Sequence, residues 1–108
     1  RDPDPLLAPD VVFWNMRDVP IRPRKYSEVP PDLVVEVVSP EDRKKALQEK
    51  IKAYVRCGVK LVWIVDPIAR TVTVHAGSIR GEELNENETL TGGDVLPMFT
   101  CQVAQFFG

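Results

Sequence analysis

Four side chains of this 108-residue chain are able to do chemistry together: Asp10, Asp32, Glu36 and Lys50. Glu36 interrupts the apolar run Leu33-Val34-Val35-Glu36-Val37-Val38. At the two-residue period of a strand it shares a face with Val34 and Val38. An ionised carboxylate is costly to bury unpaired, so Glu36 demands a cation, a hydrogen-bond network or a proton. Lys50 is a candidate partner. On a helix returning over the strand it lies ~16 Å from Ser39, against ~10 Å along the strand for Glu36. A helical side chain leans toward its own N-terminus, which carries the ammonium back toward the carboxylate. Asp10 adds a second carboxylate if its strand pairs antiparallel with that of Glu36, because the start of one then meets the end of the other. Asp32 lies roughly 13 Å from Glu36 along the same strand, too far to share an ion without distortion. Two carboxylates and a lysine at one sheet edge suit a hard cation, Mg²⁺ or Mn²⁺, that activates a water, with the lysine orienting it or stabilising charge on a phosphate. The alternative is a buried Glu–Lys ion pair with no chemistry.

The elements that must position these groups run from Pro31 to Asp66. Leu33–Val38 reads as a strand covered on both faces. Ser39 is a good N-cap, Pro40 suits the first helical position, and Glu41 and Asp42 favour a helix N-terminus. The spacing predicts a helix from Pro40 to Cys57 with Leu47, Ile51, Tyr54 and Val55 as its apolar stripe, Lys50 at the stripe's edge, and Gly58 as left-handed C-cap. Lys44 falls near the stripe in the first turns, where lysines ordinarily snorkel. Val59–Val65 is a second buried strand, parallel to the first because a helix joins them.

Outside this unit the signals are plainer. Residues 1–8 read as an extended lead-in, and Val11–Trp14 as a short strand. Residues 15–31 form a proline-rich loop with Arg17, Arg22, Arg24 and Lys25, either solvated or touching phosphates. Asp66-Pro67-Ile68-Ala69-Arg70 makes a turn into an antiparallel strand, Thr71–Ala76. In it Val72 and Val74 face inward, while Thr71, Thr73 and His75 face solvent. Residues 77–94 read as a polar loop with one short strand near Thr89-Leu90. Val95–Phe99 adds an edge segment, and Gln102–Phe107 a closing helix.

Composition bounds the function. The chain is one domain of ordinary size, 1–108, short for an enzyme, with the apolar and charged fractions of a soluble globular protein. A net charge of −2 means that a nucleic-acid partner must use a local basic patch. Cys57 and Cys101 read as two reduced thiols rather than a disulfide. No run is long and apolar enough to cross a membrane, and no signal peptide is visible, so a cytoplasmic location without a membrane partner is expected. There is no glycine-rich phosphate cradle and no zinc-type cysteine spacing.

Pro9-Asp10-Val-Val-Phe, Pro31-Asp32-Leu-Val-Val-Glu36-Val-Val-Ser39-Pro40, Lys50 with Tyr54 and Gly58, and Val62-Trp63-Ile64-Val65-Asp66-Pro67 resemble the Uma-two family. This is a large bacterial group described as restriction endonucleases within the PD-(D/E)XK nuclease superfamily. The similarity extends to Leu96-Pro97-Met98-Phe99 and Phe106-Phe107. It implies an α/β fold, a restriction-endonuclease-like mixed β-sheet flanked by helices, and Mg²⁺-dependent hydrolysis of DNA. It also implies that the chain is the C-terminal part of a longer family domain, lacking the N-terminal helix. By resemblance, Asp10 matches the motif aspartate and Glu36 the acidic residue of the (D/E)XK step, both as metal ligands. Val38 stands where that step places lysine, so Lys50 takes the lysine's role. Ala46 occupies a helix position that is often acidic in these sequences. Two readings follow: a metal-dependent endonuclease acting on DNA, in which a homodimer is allowed, and a noncatalytic interaction or dimerisation module in which Glu36 and Lys50 are a structural pair.

Overall fold

The computed structural model describes residues 10–13 and 30–107. The basic loop cations Arg17, Arg22, Arg24 and Lys25 lie outside them. The chain order is β1 (Val11–Phe13), β2 (Leu33–Val37), α1 (Lys44–Arg56), β3 (Leu61–Asp66), β4 (Thr71–His75), β5 (Glu82–Leu84), β6 (Thr89–Gly92), β7 (Leu96–Gln102) and a 3₁₀ turn, Val103–Phe107. Strands β1 to β5 form one five-stranded mixed sheet in sequence order, and β6 and β7 form a separate hairpin. β2 and β3 pair in parallel, with Val35 beside Trp63 and Glu36 beside Ile64. The other pairings are antiparallel. The parallel pair requires a crossover, and α1 supplies it.

Each face of the sheet has its own core. Val34, Val62 and Ile64 meet Ile51 and Tyr54 of α1 on one face, with Leu47, Val55, Val12 and Val38 around them. On the other face Leu33, Leu61, Trp63, Val65 and Val72 meet Leu90 and Val103 from the hairpin and the 3₁₀ turn. The fold is the expected α/β mixed sheet, flanked among the described residues by one α-helix on one face and by the hairpin and 3₁₀ turn on the other. Trp63 packs against Phe99 at 5.4 Å and edge-on to Phe106 at 6.4 Å between ring centroids.

The crossover's ends show how local chemistry sets its length. The expected helix start at Pro40 is one turn too early. The Asp42 N–H bonds the Ser39 carbonyl at 3.0 Å, and the Ser39 N–H donates to the Asp42 carboxylate at 2.7 Å. These two bonds close a turn of their own, so Ser39 caps nothing. Arg43 becomes the N-cap, with no side-chain bond to the helix. The C-terminus is as expected. Gly58 adopts φ +92°, the Val59 N–H reaches the Tyr54 carbonyl and the Gly58 N–H reaches that of Val55, each at 3.1 Å. This is a Schellman pairing, and Val59 and Tyr54 supply its apolar contact.

Three further expectations are corrected. β5 was not anticipated, and the Thr89–Leu90 and Val95–Phe99 segments are the arms of a longer hairpin. The closing helix is a single 3₁₀ turn. His75 is buried at 5 % exposure although it lies on the face expected to be solvated. That face is the one α1 covers, and residues 76–81 fold back over it: His75 Nδ1 lies 3.2 Å from the Ser78 carbonyl. The turn after β3 is as expected, with the Asp66 carboxylate accepting from the N–H groups of Ile68 and Ala69 at 3.0 Å. Both cysteines are free, Cys57 exposed and Cys101 partly covered; burial pushes the Cys101 thiol up from its ordinary value.

Candidate active site

Glu36 projects from β2 toward α1 and is buried at 5 % exposure. Two residues of α1, one turn apart, reach it. Lys50 Nζ lies 3.5 Å from Oε1, and the Tyr54 hydroxyl donates to Oε2. Lys50 remains partly exposed while Tyr54 is buried. The helix thus presents an outer cation and an inner neutral donor to the two oxygens of one carboxylate. This meets the requirement read from the sequence, by both a cation and a hydrogen bond. Tyr54 had been read as part of the apolar stripe only. Its ring does belong there; its hydroxyl is the added function. The available signal was spacing, because Tyr54 lies one turn beyond Lys50 and on the same helix face.

Asp10 sits where the antiparallel argument places it. Val11 pairs with Val35 in the register of β1 and β2, so one further step brings Asp10 opposite Glu36. Its carboxylate also has local work: Oδ2 accepts the Val37 N–H at 2.7 Å. Asp32 is not part of this group. It is buried at the start of β2, its carboxylate is 3.3 Å from Lys60 Nζ, and its carbonyl accepts the Leu61 N–H at 3.0 Å. Its N–H also donates to the Phe13 carbonyl at 2.8 Å, so its partners tie the start of β2 to the end of β1 and to the start of β3.

Beside Glu36 lies a notch of about 60 Å³ lined by Glu36, Val38, Asp42, Arg43, Ala46, Leu47 and Lys50. Its rim therefore carries two acids and two cations. No three His, Cys, Asp or Glu side chains among the described residues are grouped to hold a metal ion. The register of β1 and β2 brings two carboxylates, Asp10 and Glu36, opposite one another, and carboxylate oxygen is the donor type that Mg²⁺ or Mn²⁺ takes. Such ions take few protein ligands and keep several waters.

The mixed sheet and its β2–α1–β3 crossover thus set the buried Glu36 carboxylate against a lysine carried by that crossover. The family model described as "Putative restriction endonuclease", Uma2, matches residues 2–104, and the chain belongs to that family. A solved structure described as "a putative nuclease" from Anabaena variabilis superposes with a TM-score of 0.64 at 19 % identity. It covers 71 % of this chain and 44 % of its own, so this chain spans less than half of that relative. That likeness bears on the fold. No curated protein matches.

Proposed function

We propose that the chain is a metal-dependent endonuclease domain that hydrolyses DNA phosphodiester bonds, with Asp10, Glu36 and Lys50 as its working groups. The observation that carries this reading is the Glu36–Lys50 pair at the notch, on a neutral-donor support, with a second carboxylate opposite on β1. Asp10 and Glu36 would hold Mg²⁺ or Mn²⁺, which when bound supplies Lewis acidity toward the phosphate and a more acidic water. Lys50 is exposed enough to leave Glu36 and donate to a phosphate oxygen as negative charge builds there, the moment when a donor accelerates reaction most. The Tyr54 hydroxyl keeps Glu36 pointing at the notch while Lys50 changes partner. Arg43, on the same rim, adds positive potential for an incoming phosphate. DNA is the substrate that the family's description suggests.

The test uses titrations of Mn²⁺ and cleavage of plasmid DNA by the intact protein. Glu36→Gln is expected to weaken Mn²⁺ binding. Lys50→Ala is expected to leave Mn²⁺ and DNA binding nearly intact while raising the barrier by about 3 kcal/mol, on the scale of one preorganised donor. Equal Mn²⁺ affinity for Glu36→Gln and parent defeats the metal assignment. Equal cleavage by Lys50→Ala and parent defeats the lysine's role.

One observation favours a second reading, a noncatalytic interaction or dimerisation module. Glu36 has both oxygens engaged by Lys50 and Tyr54, and an Asp10 oxygen is engaged by Val37. A closed network of this kind also serves as a structural ion pair. On this reading Lys50→Ala unfolds the domain, and Mn²⁺ changes neither its melting temperature nor its binding to DNA.

A further inference from the structure

A second concavity lies on the other flank of α1 from Lys50. It has a volume of about 420 Å³, within the roughly 300–1,000 Å³ of sites for small ligands. Its apolar walls are Leu47, Ile51, Ile64 and Ile79; its polar groups are Lys44, Gln48, Lys52, Thr73 and His75. Ile51, Ile64 and His75 are buried and form the floor. Lys44, Gln48 and Lys52 are exposed and form the rim. Among the described residues Lys52 is held by a surface pair with Glu49, at 3.5 Å, of the kind that contributes little and gives way readily.

His75 gives this groove its chemistry. A carbonyl only accepts, so the bond to Ser78 places a proton on Nδ1. In the neutral ring Nε2 is then an acceptor, and it has no partner among the described residues. Gly81 passes close by: a Cβ there would lie 2.7 Å from Nε2 and as near to the Thr73 methyl. Gly81 therefore packs its backbone beside the ring, where any side chain would collide with it and with Thr73.

We propose that this groove is a nucleotide-binding site distinct from the Glu36 notch. The base lies between Leu47, Ile51, Ile64 and Ile79, an N–H of the base donates to His75 Nε2, and the phosphate meets Lys44 and Lys52. Each part of the lining selects against other ligands. A fatty anion needs no acceptor at the floor, and a sugar phosphate gains nothing from four aliphatic walls. A planar heteroaromatic carrying both an N–H donor and an anion uses all of it. The nucleotide is either free or a unit of a strand. The site uses neither Glu36 nor Lys50, so it stands whether or not the chain cleaves DNA.

The experiment is calorimetric titration of the intact protein with dAMP and dTMP, their nucleosides and inorganic phosphate. Saturable binding of at least one mononucleotide is expected, weakened about tenfold when its phosphate is removed or when Lys44→Glu and Lys52→Glu are combined. His75→Phe, which keeps the packing but removes the acceptor, is expected to weaken it at least about fivefold. Far-UV circular dichroism checks that each variant is folded, and Met98→Ser, at an exposed side chain of β7 outside the groove, is expected to bind as the parent does. Competition by a short single-stranded oligonucleotide identifies a strand as the source; binding of mononucleotide without such competition identifies a free nucleotide. The proposal is overturned if no mononucleotide binds saturably, if inorganic phosphate binds as tightly as the nucleotides, or if folded His75→Phe and the double lysine variant bind unchanged.

Discussion

Glu36 is a residue whose burial makes sense only through its partners. A carboxylate at 5 % exposure in a valine-lined face would neutralise if it stood alone; here one oxygen faces Lys50 and the other Tyr54. Losing the Tyr54 hydroxyl leaves a buried acceptor short of a donor, which costs about 1–3 kcal/mol. Tyr54→Phe is therefore expected to lower stability by that amount in urea denaturation. The loss should shrink in a Glu36→Leu background, where no carboxylate awaits the hydroxyl; a loss of the same size there means the hydroxyl does not act through Glu36. Glu36 was legible in the sequence because a charge inside an apolar run is conspicuous. Lys50 followed from helix geometry. Tyr54 was concealed because its ring satisfies the apolar period, and no pattern of hydrophobicity reports where a phenol hydroxyl points. His75 was misread for a related reason: alternation tells which residues share a face, but not what covers that face.

At the scale of elements, α1 decides the site. Lys50 and Tyr54 reach Glu36 only because the helix returns over β2 at the right depth, and that depth is set where the helix stops. Gly58 ends it with φ +92°, and the Schellman bonds to Tyr54 and Val55 fix the last turn. Among the described residues an added Cβ at Gly58 would meet the Pro30 side chain, at 3.5 Å, an ordinary contact. The cost of Gly58→Ala is thus conformational, about 1–2 kcal/mol for a left-handed residue with a side chain. Thermal or urea unfolding should show that loss with Mn²⁺ binding retained; an unchanged midpoint would mean the chain turns out of α1 without the left-handed residue. The stop was readable because a single residue type carries it. The start was not, because Ser39, Pro40 and Asp42 are equally good residues for a tight turn and for a cap. Asp42 bonded back to Ser39 before the helix began.

At the scale of the whole molecule, one sheet carries two cores and must hold them in a single structure. The parallel pair of β2 and β3 was legible because both runs are apolar on both faces, which leaves no solvated side. What would cover the second face was not legible. The hairpin β6–β7 is built from short polar stretches around Leu90, and it contributes, with Val103 of the 3₁₀ turn, through a cluster distant in sequence that includes Leu61, Trp63 and Val72. Leu90 is fully buried at 0 % exposure and Ile51, on the opposite face, at 7 %. Truncating either to alanine removes core volume and is expected to cost about 2–5 kcal/mol. Because both cores use the same strands, each variant should still unfold in one cooperative step, with far-UV circular dichroism and tryptophan fluorescence changing together. Met98→Ser, at a side chain 93 % exposed on the same hairpin, should leave the midpoint where it was. If Leu90→Ala instead separates the two signals into two transitions, the hairpin is an independent unit. The α1 face carrying Glu36 would then stand without it.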